Sequence, residues 1–313
     1  MSLSHDLVDV NEVSDNPLSR LTVFADHIPD EWLRVATALS SKATIRRRRL
    51  PADMVLWLVV GMAFFRNEPI SEVARRLNIC ADGLANELLL ADSALSQARQ
   101  RLGAQPVEWL FRHCAQYWGH ERYPADEWHG LQVFAVDGAL FRTQDTPELR
   151  AHFGSGNTAT ERQTPYPMLR LVALMNVRSH VLVNAAISPY RKGEIPLAAD
   201  FIQSIPANSV TLLDKGFFSA DLLLSIASGD KNQHWLIPER KGLVYTEIER
   251  YGHGDRLLQM QVSPQARKPY RSIGRYAPLP MKLQGKRRPY LPRYPQPISA
   301  RQRWRRYITS AGK

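Results

Sequence analysis

Two aspartates stand where an apolar run meets glycine: Asp137 in LQVFAVDGALFRT (131–143) and Asp214 in VTLLDKGFFSADLL (210–223). In each, β-prone residues deliver one carboxylate to the end of a strand, and Gly138 or Gly216 follows within two positions. Hard divalent cations such as Mg2+ take oxygen ligands, so carboxylates gathered from separate strand ends are the donors such an ion needs. Two ions about 4 Å apart activate a nucleophile and stabilise the leaving oxygen when a phosphodiester is cut or transferred. Asp137 fits a bridging position between such ions, and Asp214 fits a place in one coordination shell. Each motif taken singly also fits an ordinary connection, VDG as a hairpin turn and DKG as a strand-to-helix turn. It is the pair, in this order, that points to a metal site with both aspartates as catalytic ligands.

The elements that must position them read as follows. From Pro29 to about Gly119 the apolar spacing is helical, in DEWLRVATAL, PADMVLWLVVGMAFFR, ISEVARRL, SALSQARQRLG and PVEWLFRHCAQYW. Pro51 takes the favoured first-turn position of the second helix, and Gly103 stops the fourth. In that fourth helix Leu95, Ala98 and Leu102 form one apolar stripe, while Ser96, Gln97, Arg99, Gln100 and Arg101 face elsewhere. After the loop GHERYPADEWHG (119–130), LQVFAVDGA reads as a strand with ALFRT as its return. PYPMLRLVALMNVRS reads as a long strand, and HVLVNAAISPY as its antiparallel partner. A helix at about 194–205, the strand SVTLLD, the helix SADLLLSIAS and the strand HWLIPE follow. This order predicts an α/β fold: a ribonuclease-H-like core, with a mixed sheet and flanking helices, preceded by an all-α N-terminal domain. In that topology the ends of the first and fourth strands are neighbours, which is where Asp137 and Asp214 fall.

The chain carries 41 Lys and Arg against 30 Asp and Glu, a net charge of +11 that ordinarily signals a nucleic-acid partner. Its distribution confines that signal to one segment. No acidic residue follows Asp255, and residues 256–313 hold 15 of the 41 basic ones, leaving 26 basic against 30 acidic residues, net −4, in 1–255. At 44% hydrophobic over 313 residues the chain can bury one large core or two smaller ones, which excludes disorder throughout. The longest apolar run, MVLWLVVGMAFF (54–65), is too short to cross a bilayer, and the N-terminus has neither a basic region nor an apolar core. No membrane partner and a cytoplasmic location are expected. Cys80 and Cys114 lie far apart with no CxxC around either, which argues against a disulfide framework and a zinc knuckle.

The strings VFAVDGALFRTQDTPELRAHFG (133–154) and SVTLLDKGFFSADLLLSIASGDKNQHWLIPERK (209–241) resemble the first and second Asp regions of bacterial DDE transposases of the insertion-sequence-four type. The helical stretch from about Asp26 to Ala115, notably RRRRLPADMVLWLVVGMAFFR and SALSQARQRLG, resembles the N-terminal domain of those enzymes, and the likeness covers about residues 18–264. The resemblance implies a ribonuclease-H-like core and a triad of two Asp and one Glu holding Mg2+ or Mn2+ in a two-ion site. It implies binding to double-stranded DNA, at an element's terminal inverted repeats and at the target, with metal-dependent cleavage and strand transfer. A homodimer in the DNA complex and a nucleoid-associated place in a bacterial cytoplasm go with it. Five segments are then expected: a flexible N-terminus (1–19), a helical DNA-binding domain (20–119), a partial catalytic core (130–241), the start of a β-rich insertion (242–264), and a disordered basic Pro/Arg-rich tail (265–313).

Asp137 and Asp214 match the first two triad positions of the family. The third, a Glu on a helix with Tyr, Arg and Glu beyond the insertion, has no counterpart after Asp255, and QRWRRY (302–307) offers no carboxylate. Glu161 and Glu194 lie between the aspartates and so off that helix, while Glu239, Glu247 and Glu249 fall in the strand or insertion region. A frameshift within about residues 265–272 accounts together for the missing acids, the lost periodicity and the Arg and Pro bias. An inactive transposase is expected from it.

Arg46, Arg47, Arg48 and Arg49, just before a helix, fit either phosphate contacts or a solvated loop. Arg99 and Gln100 have the donors to read base edges in a major groove, against the alternative of a solubilising surface. Arg75 and Arg76 read as partners of Glu72, Trp57 and Trp235 as core, and Arg170 and Lys215 as DNA contacts near the metals. Two other functions fit the same sequence. One is a DNA-binding fragment that occupies element ends without cutting and represses transposition, and the other is an unrelated ribonuclease-H-like nuclease.

Overall fold

The computed structural model describes residues 21, 24–40, 50–79, 90–154, 166–227, 231–239, 242, 244–252, 255–260, 279–284 and 308–309. Residues 1–19, Arg46, Arg47, Arg48, Arg49, Cys80 and Glu161 lie outside them. The chain divides into two compact units, Met1–Cys114 and Ala115–Lys313.

The first unit is helical, with α1 (Asp30–Ala38), α2 (Ala52–Phe64), α3 (Ile70–Arg76), α4 (Asp92–Leu102) and most of α5 (Gln105–Gly119). Pro29, Pro51 and Pro69 each stand extended one position ahead of a helix, so Pro51 caps α2 from outside its first turn. Leu58 of α2, Val73 and Ala74 of α3 and Leu95 of α4 meet in one core with Phe65 and Ile79, and Trp57 packs against it. On α4, Leu95, Ala98 and Leu102 are buried while Gln97, Arg99 and Gln100 are exposed, so the apolar stripe turns inward as its spacing requires. Gly103 ends the helix at φ +76°, a conformation glycine adopts at little cost. His113 stacks on Trp109 at 4.7 Å and meets Trp32 edge-on at 4.4 Å, so its ring serves as packing. Arg75 Nη2 lies 2.5 Å from Glu72, and Arg76 reaches both Glu72 (3.4 Å) and Glu68 (2.6 Å).

The second unit is built on a five-stranded sheet of order β3-β2-β1-β4-β5. Its strands are β1 (Gln132–Arg142), β2 (Met168–Asn176), β3 (Leu182–Pro189), β4 (Ser209–Leu213) and β5 (Gln233–Leu236). Strands β1, β2 and β3 are antiparallel neighbours, and β4 and β5 run parallel to β1. The connections carry α6 (Pro147–Phe153), α7 (Glu194–Ala199) and α8 (Ala220–Ala227). Phe134 and Val136 of β1 share a core with Leu197 of α7 and Leu222, Leu223 and Ile226 of α8, and Trp235 of β5 is buried in it. This is the ribonuclease-H-like order expected from the sequence. Among the described residues no helix is long and apolar enough to cross a membrane.

Two local expectations change. VDG is neither a turn nor the end of a strand: β1 continues to Arg142 because Gly138 pairs with Val172 and the next four residues pair on with β2, so ALFRT is its second half and not its return. The segment 265–313, expected to be disordered and without period, contributes β8 (Leu279–Gln284) and β9 (Ile308–Thr309) to a second sheet. That sheet has order β6-β7-β8-β9, with β6 (Tyr245–Gly252) and β7 (Asp255–Met260) supplied by the expected β-rich stretch. LPMKLQ does alternate Leu, Met and Leu with Pro, Lys and Gln, a period of two too short to stand out in a Pro-rich surrounding.

Candidate functional site

The parallel pairing of β1 and β4 ends at Val136 opposite Leu213. Asp137 and Asp214 are the next residue along each chain, so one carboxylate stands inside β1 and the other just past the end of β4, on neighbouring strands of the kind spaced about 4.8 Å apart in the pairing direction. Beyond this point β4 turns away through a 3-10 turn (Lys215–Phe217), while β1 runs on to Arg142 with β2 alone as its partner. Among the described residues no strand pairs with that edge of β1 beyond Val136, where both aspartates stand.

Both aspartates are exposed. The backbone N–H of Gly138 donates to Asp137 Oδ1 at 2.7 Å, and those of Gly216 and Phe217 donate to Asp214 Oδ1 at 2.8 and 3.2 Å. Asp214 thus caps the turn that follows it, which fixes the direction of its carboxylate. Among the described residues neither Oδ2 has a hydrogen-bond partner, so each group is anchored through one oxygen and open at the other.

A third carboxylate arrives from outside the expected pattern. Helix α7 packs against β2, β3 and the turn after Asp214, and its first residue, Glu194, lies against Gly138. A Cβ at position 138 would fall 2.7 Å from both Cδ and Oε1 of Glu194. Arg170 Nη1 donates to Glu194 Oε1, and the same guanidinium sits 5.6 Å from the centroid of the Tyr190 ring. Arg170 is thus turned to Glu194 and Tyr190. By sequence order Glu194 falls between the aspartates, off the helix expected to carry a third ligand. The signal that finds it is spatial, in that only the strand order brings residue 194 to residue 138.

The other singled-out acids and bases are dispersed. Glu247 and Glu249 lie on β6 in the second sheet, and Glu247 is bonded to Arg250. Arg99 is exposed on α4, with Nη1 3.8 Å from Met62 Sδ, and Gln100 beside it is exposed too. Burial pushes the Cys114 thiol up to about 11, so it stays protonated at neutral pH and offers no thiolate for catalysis or metal binding.

A family model of the insertion element 4 transposase N-terminal region matches residues 18–112, and one of the transposase DDE domain matches 128–305. InsZ of Escherichia coli (strain K12), which bears the name of a transposase, is 54% identical over 249 residues, 80% of this chain and 82% of InsZ. The chain belongs to the insertion element 4 group of DDE transposases. Transposase InsG for insertion sequence element IS4, also from Escherichia coli (strain K12), is 40% identical over 273 residues, 86% of this chain and 59% of InsG. This transposase chain thus spans less than two thirds of InsG. Among solved structures, a piggyBac transposase synaptic complex with hairpin DNA aligns at 12% identity and a TM-score of 0.34, over 75% of this chain and 55% of that one.

A DDE transposase domain implies dependence on a divalent metal. The two aspartates suit one: they are hard, anionic, exposed oxygens, each anchored through Oδ1 by backbone N–H donation and each with Oδ2 left without a hydrogen-bond partner among the described residues. Among the described residues no three His, Cys, Asp or Glu side chains are gathered closely enough to hold an ion.

Proposed function

We propose that this chain uses Asp137 and Asp214 to bind a divalent ion, Mg2+ or Mn2+, while its helical unit engages the double-stranded ends of a transposable element. It does so without completing cleavage. The observation that supports the reading is that two anchored, exposed carboxylates directly follow the last paired residues of β1 and β4, in a chain with no Asp or Glu after Asp255. Bound there, an ion supplies Lewis-acid polarisation of a phosphodiester oxygen. Asp137 and Asp214 orient it through oxygens that their backbone hydrogen bonds leave free. Loss of a further carboxylate from a two-ion site removes both a ligand and part of the negative charge that holds the ions, so the two remaining aspartates hold at most a weakly bound ion and cleavage fails.

On the DNA side, Arg46, Arg47, Arg48 and Arg49 supply phosphate contacts, and Arg99 and Gln100, on the exposed face of α4, read base edges. Two copies of the chain bridge two ends in the bacterial cytoplasm. The test is a labelled duplex carrying the element's terminal inverted repeat, incubated with the full chain and Mg2+ or Mn2+. Retention of that duplex over a scrambled one, with no nicked product, is expected. Nicking that Asp137→Asn abolishes would overturn the inactive reading, and equal retention of the two duplexes would overturn end recognition.

A further inference from the structure

We infer that Glu194 and Arg170 are a positioning pair for Asp137: from the opposite face of β1 they hold the Gly138 peptide whose N–H orients the Asp137 carboxylate. Both act through the backbone and not on an ion. What the inference says of metal affinity rests on the metal-binding role proposed for Asp137, and what it says of the Gly138 peptide does not.

Alternation along a strand puts Asp137 and Gly138 on opposite faces of β1. The Gly138 face is the one that looks into the core: Phe134 and Val136, two and four positions earlier, are buried there with Leu197 of α7, and so is Val172, the register partner of Gly138. Glu194 opens α7 and extends that cover along β1. A Cβ at position 138 would fall 2.7 Å from its Cδ and Oε1, so the carboxylate lies against backbone that only glycine leaves bare. Arg170 stands on the same face, two residues from Val172 along β2 and paired with Leu140, and its Nη1 donates to Glu194 Oε1.

The peptide at Gly138 has few other supports. Its parallel neighbour β4 pairs only as far as Val136, so among the described residues position 138 is paired on the β2 side alone. Its N–H donates to Asp137 Oδ1 at 2.7 Å, which is the one hydrogen bond of that carboxylate among the described residues. Rotation of the peptide therefore swings the carboxylate, and Glu194 resists that rotation from behind. Arg170 keeps Glu194 in place: its side chain is 17% exposed, and its buried Nε has no acceptor among the described residues, so Glu194 is the anion that balances it. Asp214 needs no such device, because the N–H groups of Gly216 and Phe217 both hold it. Support of this kind sets how well a ligand is presented without touching what it binds.

A role through contact separates from a role through charge, since a buttress must keep its reach and a charge only its sign. The experiment follows hydrogen exchange of the Gly138 amide by NMR in the full chain carrying isotope-labelled glycine, with calorimetric Mn2+ affinity and urea unfolding measured on the same variants. Glu194→Gln keeps an oxygen against Gly138 and an acceptor for Arg170, so both quantities should stay within about twofold of wild type. Glu194→Asp keeps the charge that Arg170 needs for folding but withdraws the carboxylate by one methylene. In that variant Gly138 exchange should rise at least about fivefold and Mn2+ affinity fall about tenfold, while Gly119, in the same unit, exchanges as in wild type. Arg170→Gln releases Glu194 and should act in the same direction. Faster Gly138 exchange in Glu194→Gln with none in Glu194→Asp would mark an effect of charge and overturn the inference. Equal acceleration at Gly138 and Gly119 would mark general loosening of the unit and overturn it too, as would wild-type exchange at Gly138 in both Glu194→Asp and Arg170→Gln. Absence of Mn2+ binding by the wild-type chain sinks the metal reading of Asp137, and Gly138 exchange then decides the buttress alone.

Discussion

A Cβ at position 138 would sit 2.7 Å from both Cδ and Oε1 of Glu194, closer than non-bonded carbon atoms approach one another. In most strand positions alanine outperforms glycine, because glycine loses more backbone entropy on folding and packs nothing. Here the sign reverses. The neighbour that must give way is the end of a side chain, but Arg170 holds it in place. Gly138→Ala is therefore expected to cost about 1–3 kcal/mol, the usual penalty for forcing an extra carbon into a filled space. Removing the obstructing carboxylate should recover much of it. In a double-mutant cycle read by urea unfolding, Gly138→Ala combined with Glu194→Ala should be more stable than the sum of the single changes by about 1 kcal/mol or more. Strict additivity would show that Glu194 does not occupy the space above residue 138.

At the scale of elements, α4 shows how a stripe becomes a core. Leu95 is fully buried among α2 and α3 residues, whereas Gln97, two positions on, is exposed. Leu95→Ala should destabilise the helical unit by about 2–5 kcal/mol, through lost transfer energy and the cavity left behind. Gln97→Ala should stay within about 0.5 kcal/mol of wild type. Similar urea midpoints for the two variants would contradict the packing of α4. This stripe was legible in the sequence because a helix writes its buried face locally, at every third or fourth residue. The strand order was legible for a related reason: an apolar strand, a helix and another apolar strand admit few parallel arrangements. What stayed hidden depends on partners distant in the chain. VDG reads as a turn by local rules, and it is pairing with β2 that carries β1 straight through it to Arg142. Asp137 and Asp214 were visible as carboxylates carried by apolar strands, Asp214 at a strand end and Asp137 inside one, but the place of Glu194 was not, because its relation to Gly138 exists only once β3 and α7 have folded back onto β1.

Over the whole molecule the charge is divided: residues 1–255 carry a net −4, and 15 basic residues with no acidic one follow. Such a segment releases counterions from any duplex it meets, so crude DNA retention by this chain measures the tail at least as much as the helical unit. The two contributions separate by their dependence on salt and sequence. Removing one phosphate-binding cation flattens the log–log dependence of affinity on salt by about 0.9. Replacing Lys286, Arg287 and Arg288 with Gln should therefore flatten the slope by up to about 2.7, equally on a terminal inverted repeat and on a scrambled duplex. Replacing Arg99 and Gln100 with Ala should act differently. If these side chains read base edges, the preference for the repeat falls by about 1–3 kcal/mol per bidentate pair, while affinity for the scrambled duplex changes little. Fluorescence anisotropy over a series of salt concentrations measures both quantities on the same samples. A tail variant with an unchanged slope would remove residues 286–288 from the DNA interface, and an undiminished preference in the α4 variant would leave that helix a solvent-facing surface. The combined outcome decides whether recognition of an element end resides in the folded helical unit or whether the chain merely condenses on DNA through its basic segment.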